Sequence, residues 1–280
     1  MRTSVRMAFV ACLLACLCIF SIGCSQPASS QRESAVDRIK QTRTLRAAYV
    51  VYPPFVTKDP NTGQLSGYFI DLMAELAKQG EFSIQYEEAK WGTMVSGLAS
   101  GKYDIVVSGI FPTISRSFEV SFARPVMYVG LAGVVRADDS HVWTPESLQR
   151  EGLRVAVVNG EVGHEYARKF LPDAQLIVLD TADISRAATE VVQGRADVAL
   201  AESLTLVSFA GENPSAKAVF IEKPLQVFAS TVMIRRDDPD FRVFVNTAID
   251  FLEASGFIDQ LEAKYKTNAD MWLSLRPAWK

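Results

Sequence analysis

Twice along this chain short apolar runs alternate with amphipathic stretches in the same order, once between residues 45 and 108 and again between residues 154 and 201. In the first block, residues 45–51 (LRAAYVV) read as a strand broken by Pro53-Pro54. Asn61-Thr62-Gly63 reads as a turn. Residues 71–78 read as a helix capped by Asp71 and stopped by Gly80, with Leu72, Met73, Leu76 and Ala77 on one face. Residues 82–86 read as a strand. Residues 93–100 read as a helix with Met94, Leu98 and Ala99 inward, and residues 104–108 (DIVVS) as a buried strand. The second block repeats this with strands at 154–158, 176–179 and 197–201 and helices at 163–170 and 184–193. Parallel strands need a crossover helix between them, so each block predicts a helix-covered parallel sheet and the pair predicts an α/β chain of two lobes. Beyond them follow a strand at 230–235, a long helix at 241–255 with Phe244, Ala248, Phe251 and Leu252 inward, and a last helix at 258–265.

Composition narrows the function classes. Hydrophobic residues make up 49% of the 280 and charged residues 22%, which excludes disorder over most of the length. A net charge of −3 argues against a nucleic-acid binder. The two histidines, His141 and His164, are far apart and neither pairs with a cysteine, so no metal site is expected. The Gly-rich phosphate loops and the G-x-S-x-G elbow are absent, and no cofactor is expected.

The four cysteines, Cys12, Cys16, Cys18 and Cys24, all stand in the N-terminal segment, so the α/β region is expected to fold without a disulfide. Residues 1–6 carry Arg2 and Arg6 and no acid, and residues 7–22 are apolar and uncharged. That run is shorter than the roughly 20 residues a spanning helix needs and reads as a secretory signal peptide, with an uncleaved membrane anchor as the alternative. Ser21-Ile22-Gly23-Cys24 resembles a bacterial lipobox, with Ser21 where the pattern prefers Leu. The resemblance implies cleavage after residue 23, lipid on Cys24 and a tether over residues 24–42, polar and small through residue 33 (SQPASSQRE).

Ligands of open α/β sheets bind beyond the carboxyl ends of the strands. The segments placed there are residues 49–55, 88–91, 108–116, 159–164 and 201–203. They carry an ordered set of motifs: Tyr52-Pro53-Pro54-Phe55, then Gly67-Tyr68-Phe69-Ile70-Asp71-Leu72, then Trp91 ahead of Gly101-Lys102-Tyr103-Asp104. Ser108-Gly109 with Thr113 and Arg116 follows, then Phe122-Ala123-Arg124-Pro125, then Gly194-Arg195-Ala196-Asp197 through Glu202. Together these resemble the bacterial extracellular solute-binding proteins of family 3, the polar-amino-acid type, over roughly residues 43–268.

The resemblance implies a two-lobed, type II periplasmic-binding-protein-like fold. Lobe 1 would hold residues 43–126 and 230–268, lobe 2 residues 130–226, and residues 269–280 a tail. Hinge strands would lie near residues 126–130 and 226–230. It implies a lipid-anchored, monomeric protein of the periplasm or cell envelope that is not an enzyme. That protein would present a small amino acid, or a related carboxylate or zwitterion, to an ABC-type permease.

Site roles follow residue by residue. Arg116 stands where the family pairs with an α-carboxylate, a task suited to a planar fork of donors; the alternative is a surface arginine on a loop. Glu202 stands where the family binds an α-ammonium, and a strand-end acid also serves as a helix cap. Tyr52 and Trp91 resemble the aromatic walls around the ligand, with core packing as the alternative. Ser108, Gly109, Thr113 and Val162 complete the implied contacts. Two departures stand out: Phe111-Pro112 replaces a small hydroxyl residue, and Gly160-Glu161-Val162 replaces a Gly-Thr/Ser-Thr segment whose N–H groups would receive an anion. Phe69 also replaces an Asp. An enzymatic alternative is the cyclohexadienyl dehydratases, which resemble this family in fold and use a general acid in the lobe-2 segment. Here His164 stands at that position, flanked by Glu161 and Glu165.

Overall fold

The computed structural model describes residues 32–265 and the backbone of residues 272–273. Cys24, the signal segment and most of the polar tether lie outside the described residues.

In the first half, β1 (Thr44–Tyr49) lies between β4 (Ser83–Glu88) and β5 (Ile105–Ile110), all parallel, with Leu45 opposite Ile84 and Ala47 opposite Ile105. A small hairpin, β2 (Thr57–Lys58) and β3 (Leu65–Ser66), follows β1. Every residue of β5 is buried, as its unbroken apolar run requires for a strand covered on both faces. In the second half, β8 (Arg154–Val158) lies between β9 (Gln175–Leu179) and β10 (Val198–Glu202), again parallel.

The halves are joined by two long strands. β7 (Met127–Arg136) and β12 (Val227–Arg235) pair antiparallel, Met127–Gly130 against Val227–Ser230. β12 then runs on beside β5 and the short β6 (Val120–Phe122), while β7 runs on beside β10 and β11 (Ala216–Val219). Each strand therefore serves both halves, and among the described residues eleven strands form one hydrogen-bonded sheet, eight of them in a continuous order. This topology bears out the α/β two-lobed class.

Helices cover the faces: α1 (Ala35–Thr42), α2 (Tyr68–Gln79), α3 (Met94–Ser100), the single turn α4 (Ile114–Ser117), α5 (Val162–Phe170), α6 (Ser185–Val192), α7 (Ser203–Glu212), α8 (Pro239–Ala254) and α9 (Phe257–Tyr265). Several depart from expectation. The expected tether over 24–42 is cut short by α1, which Ser34 caps and which buries Ala35 and Ile39. Asp238 holds it, accepting from the Ala35 amide and Ser34 hydroxyl at 2.7 Å each. Helix α2 starts at Tyr68, three residues before the expected cap. Gly67 precedes it at φ 120°, where a Cβ would meet the Phe55 carbonyl oxygen at 2.5 Å. Asp71 does not cap; it receives Lys264 Nζ at 2.7 Å and Tyr265 Oη at 2.6 Å.

In α8 the buried stripe is Phe241, Val245, Ile249 and Leu252, whereas Phe251, expected inward, is 56% exposed. The helix begins two residues earlier than read, with Pro239 in its first turn; Leu252 is buried as expected and Phe244 and Ala248 pack half-buried at the edge of the i, i+4, i+8, i+11 stripe, so Phe251 alone falls outside it. The expected C-terminal tail also contains a strand: β13 (Trp272–Leu273) pairs with Val129 and Tyr128 of β7.

Candidate functional site

The carboxyl ends of β1, β4 and β5 meet those of β8 and β10 where the two halves face each other. After β1 the chain turns at once, with the Tyr52 amide donating to the Val56 carbonyl at 2.7 Å. The Ser108 hydroxyl accepts the Val50 amide at 2.6 Å, tying this turn to β5. Tyr52 is 1% exposed, and its ring packs edge-on against Phe55 at 4.8 Å and Trp91 at 5.6 Å. The Trp91 indole N–H crosses to the other half and donates to the Ala182 carbonyl at 3.1 Å. Both aromatics thus pack as core and also stand where the halves meet.

Gly109 sits in β5 at φ 68°, and a Cβ there would lie 2.7 Å from the Phe69 ring. The strand therefore bends under Phe69, the residue that departs from the family motif. Phe111, a second departure, stacks its ring on Phe228 of β12 at 5.5 Å. Thr113 caps α4 through its hydroxyl, which accepts the Arg116 amide at 3.3 Å.

Arg116 lies on this helical turn rather than on a free loop, and it is buried. Nη1 donates to the Phe111 carbonyl at 2.9 Å and Nη2 to the Gly160 carbonyl at 2.7 Å, while Nη2 stands 2.8 Å from Glu165 Oε1. Burial lowers its pKa, opposed by the Glu165 and Glu161 carboxylates. The guanidinium therefore bridges the halves with acceptors from both. Gly160 makes this approach possible: at φ 78° its Cβ would stand 2.7 Å from the Trp91 carbonyl oxygen.

Two buried acids form the floor in the second half. Glu202 caps α7, accepting the Leu204 amide at 2.7 Å and the Thr205 amide at 2.8 Å. Glu161 caps α5, accepting the Gly163 amide at 2.6 Å, and its other oxygen receives the Glu202 amide at 3.3 Å. The two caps meet because α5 starts hard against β10, where a Cβ on Gly163 would fall 2.0 Å from the Leu200 carbonyl oxygen. Burial, reinforced by the Glu202 charge, pushes the Glu161 carboxyl up to about 8. Burial also raises that of Glu202, against its hydrogen-bonded amides. The Tyr52 hydroxyl is buried, and burial together with the Glu202 carboxylate raises its pKa well above the usual phenol value. Val162 begins α5 and lines an open groove of about 560 Å³ between α4, α5 and β12, together with Thr113, Glu165 and Phe228.

The structure thus brings Tyr52, Trp91, Arg116 and Glu202 together from the two halves. Ser108 and Gly109 shape the floor behind them, Thr113 positions Arg116, and Val162 stands at the groove. Sequence reasoning missed two partners: Glu165 as the counter-charge of Arg116, and Glu161 as the neighbour of Glu202. Spacing carried a signal for both, since Glu161 and Glu165 are four apart and so share one face at the start of a helix.

Residues 45–268 match the profile of the bacterial extracellular solute-binding proteins, family 3. A probable histidine-binding protein of Neisseria gonorrhoeae is 24% identical, covering 92% of this chain and 94% of its own. The cyclohexadienyl dehydratase of Pseudomonas aeruginosa is also 24% identical, over 88% of this chain and 90% of its own. The crystal structure of an ancestral amino acid-binding protein, a precursor of cyclohexadienyl dehydratase, superposes with a TM-score of 0.74 at 30% identity. It covers 83% of this chain and 99% of that one.

Proposed function

The chain belongs to the bacterial extracellular solute-binding proteins, family 3, and on that footing we propose that it captures a small amino-acid-like solute between its halves and hands it to an ABC-type permease. The lobes are residues 43–126 with 230–268, and 130–226. The hinge is the pair of crossing strands at 126–130 and 226–230. Hinge closure around a ligand is a standard transition of such proteins. The protein works as a lipid-anchored monomer of the cell envelope, held through Cys24.

One observation carries the reading. Arg116 of the first half reaches Gly160 and Glu165 of the second, beside aromatics of the first half and a buried acid, Glu202, of the second. A solute touching both halves stabilises the closed form by the difference in its contacts between the open and closed states. Its ammonium end goes to Glu202 and its side chain lies along Tyr52 and Trp91. A thermal-shift screen against amino acids, amines and small acids tests this. Ligand at about 100 times its Kd adds about 2.7 kcal/mol. A screen in which none of them shifts the unfolding temperature refutes the reading.

A second reading has one observation in its favour. The buried Glu161 carboxyl, raised to about 8, holds a proton at neutral pH as a general acid must. Against it, both Glu161 oxygens are engaged by amides and the residue is 2% exposed, so binding is preferred to catalysis. Turnover of prephenate or arogenate by the purified chain, followed by ring aromatisation, would reverse that preference.

A further inference from the structure

Between α4 of the first half and α5 of the second, with β12 beneath, lies the open groove of about 560 Å³, a volume within the roughly 300–1,000 Å³ of small-molecule sites. Tyr52, Glu161 and Glu202 do not line it. Its surface is apolar and rich in rings. Phe228, stacked on Phe111 at 5.5 Å, lies on the β12 side, and Tyr166 and Phe170, with ring centroids 4.9 Å apart, lie on the α5 side. Ile114 and Phe118 stand on the α4 side at 80% and 73% exposure. A single exposed apolar residue is ordinary, but these share one concave surface. The departures from the family motifs meet here as well. Pro112 and Val162 line the groove and Phe111 backs it, each in a segment where the motif carries hydroxyls.

The charge in the lining is cationic. Arg168 and Lys169, in the last turn of α5, are both exposed and both line the groove. Lys169 Nζ stands 4.9 Å from the Phe170 ring centroid. The acid of the lining, Glu165, is already committed: it faces Arg116 at 2.8 Å and accepts the Ser115 hydroxyl at 3.3 Å. Among the described residues no other acid lines the groove. A ring body gains by leaving water for such aromatic walls, and an anionic group gains beside the two cations.

We infer that this groove is a second binding site, one that takes an aromatic carboxylate. The ring lies among Phe228, Phe118 and Tyr166, and the carboxylate points to Arg168 and Lys169. The site goes beyond the amino-acid reading and uses none of the floor acids. Its walls come from both halves, so its occupant favours the arrangement in which they stand together.

The test is calorimetric titration of the purified full chain with indole-3-acetate and with tryptamine, which carry the same ring and opposite charges. Indole-3-acetate is expected to bind about tenfold more tightly. In the double variant Arg168→Gln, Lys169→Gln that ratio should fall to about one, and in the double variant Ile114→Ser, Phe118→Ser both compounds should bind more weakly. The four replaced side chains are exposed, so the core stays intact. No binding of indole-3-acetate, tryptamine binding as tightly or more so, or affinities that neither variant changes would each overturn the inference. None of these results touches the solute-binding reading, which its own screen with amino acids decides. Sedimentation velocity adds a last arm. A monomer fits a groove open to a small molecule, whereas a dimer that Phe118→Ser dissolves puts a second copy of the chain there and overturns the inference.

Discussion

Glu161→Gln should change how the stability of this protein depends on pH. A free glutamate titrates at 4.5, and in the fold burial beside Glu202 raises Glu161 to about 8. Between those values the folded chain holds a proton that the unfolded chain has released. Stability from this group is therefore complete below about pH 4.5 and is lost as the pH climbs through about 8. A difference of roughly three and a half units corresponds to between 4 and 5 kcal/mol in full, of which about 3 kcal/mol falls between about pH 5 and pH 8. Glutamine has the shape of the protonated acid and can still accept the Gly163 amide, though its NH2 gives up the longer contact from the Glu202 amide, and it does not titrate. Urea unfolding followed by tryptophan fluorescence at steps across that range measures the effect. The stability of the variant relative to the parent should rise by about 3 kcal/mol between about pH 5 and about pH 8. The raised Glu202 leaves a residual slope in both. Parallel stability curves for the two proteins would refute the buried-acid argument.

Three further outcomes follow from packing. Gly163→Ala places a methyl 2.0 Å from the Leu200 backbone oxygen, which cannot swing aside, so about 1–3 kcal/mol of stability should be lost in chemical denaturation. Asp238→Ala removes the acceptor shared by Ala35, Ser34 and Phe241 and the buried partner of Arg235. The loss should be about 3–5 kcal/mol, with amide exchange in α1 rising ahead of global unfolding. Ser108→Ala leaves the buried Val50 amide without its acceptor; a drop of about 1–3 kcal/mol by urea titration is expected, together with weaker binding through the Tyr52 turn.

The lobe sheets were readable because their signal is local. The strands at 154–158, 176–179 and 197–201 reappear as β8, β9 and β10 within a residue or so; β8 and β10 are buried parallel strands, whose apolar runs show in a short window, and β9 is a half-buried edge strand with a short apolar run of its own. Helix α7 and strands β6 and β11 were not read. Helix α7 has little amphipathic contrast, and its start is set by the side chain of Glu202, a residue assigned to the strand before it. Phe251 of α8 was misplaced because Phe241, Phe244 and Phe251 are equal candidates by type. Only the packing of α8 against α1, α2 and α9 decides which of them turns inward.

In the site, residue chemistry was legible and its pairing was not. Tyr52, Trp91, Arg116 and Glu202 were singled out by their types and the motifs around them, so the sequence alone determined a two-lobed α/β protein and the charged and aromatic residues that stand where its halves meet. Which charge faces which was decided by three close approaches: Gly160 to Trp91, Gly163 to Leu200, and Phe111 to Phe228. They bring together residues far apart in the chain, closing Arg116 onto Glu165 and setting Glu161 against Glu202. Local propensity cannot encode such pairings, because charges interact through distance and burial, and both exist only once the two sheets have packed.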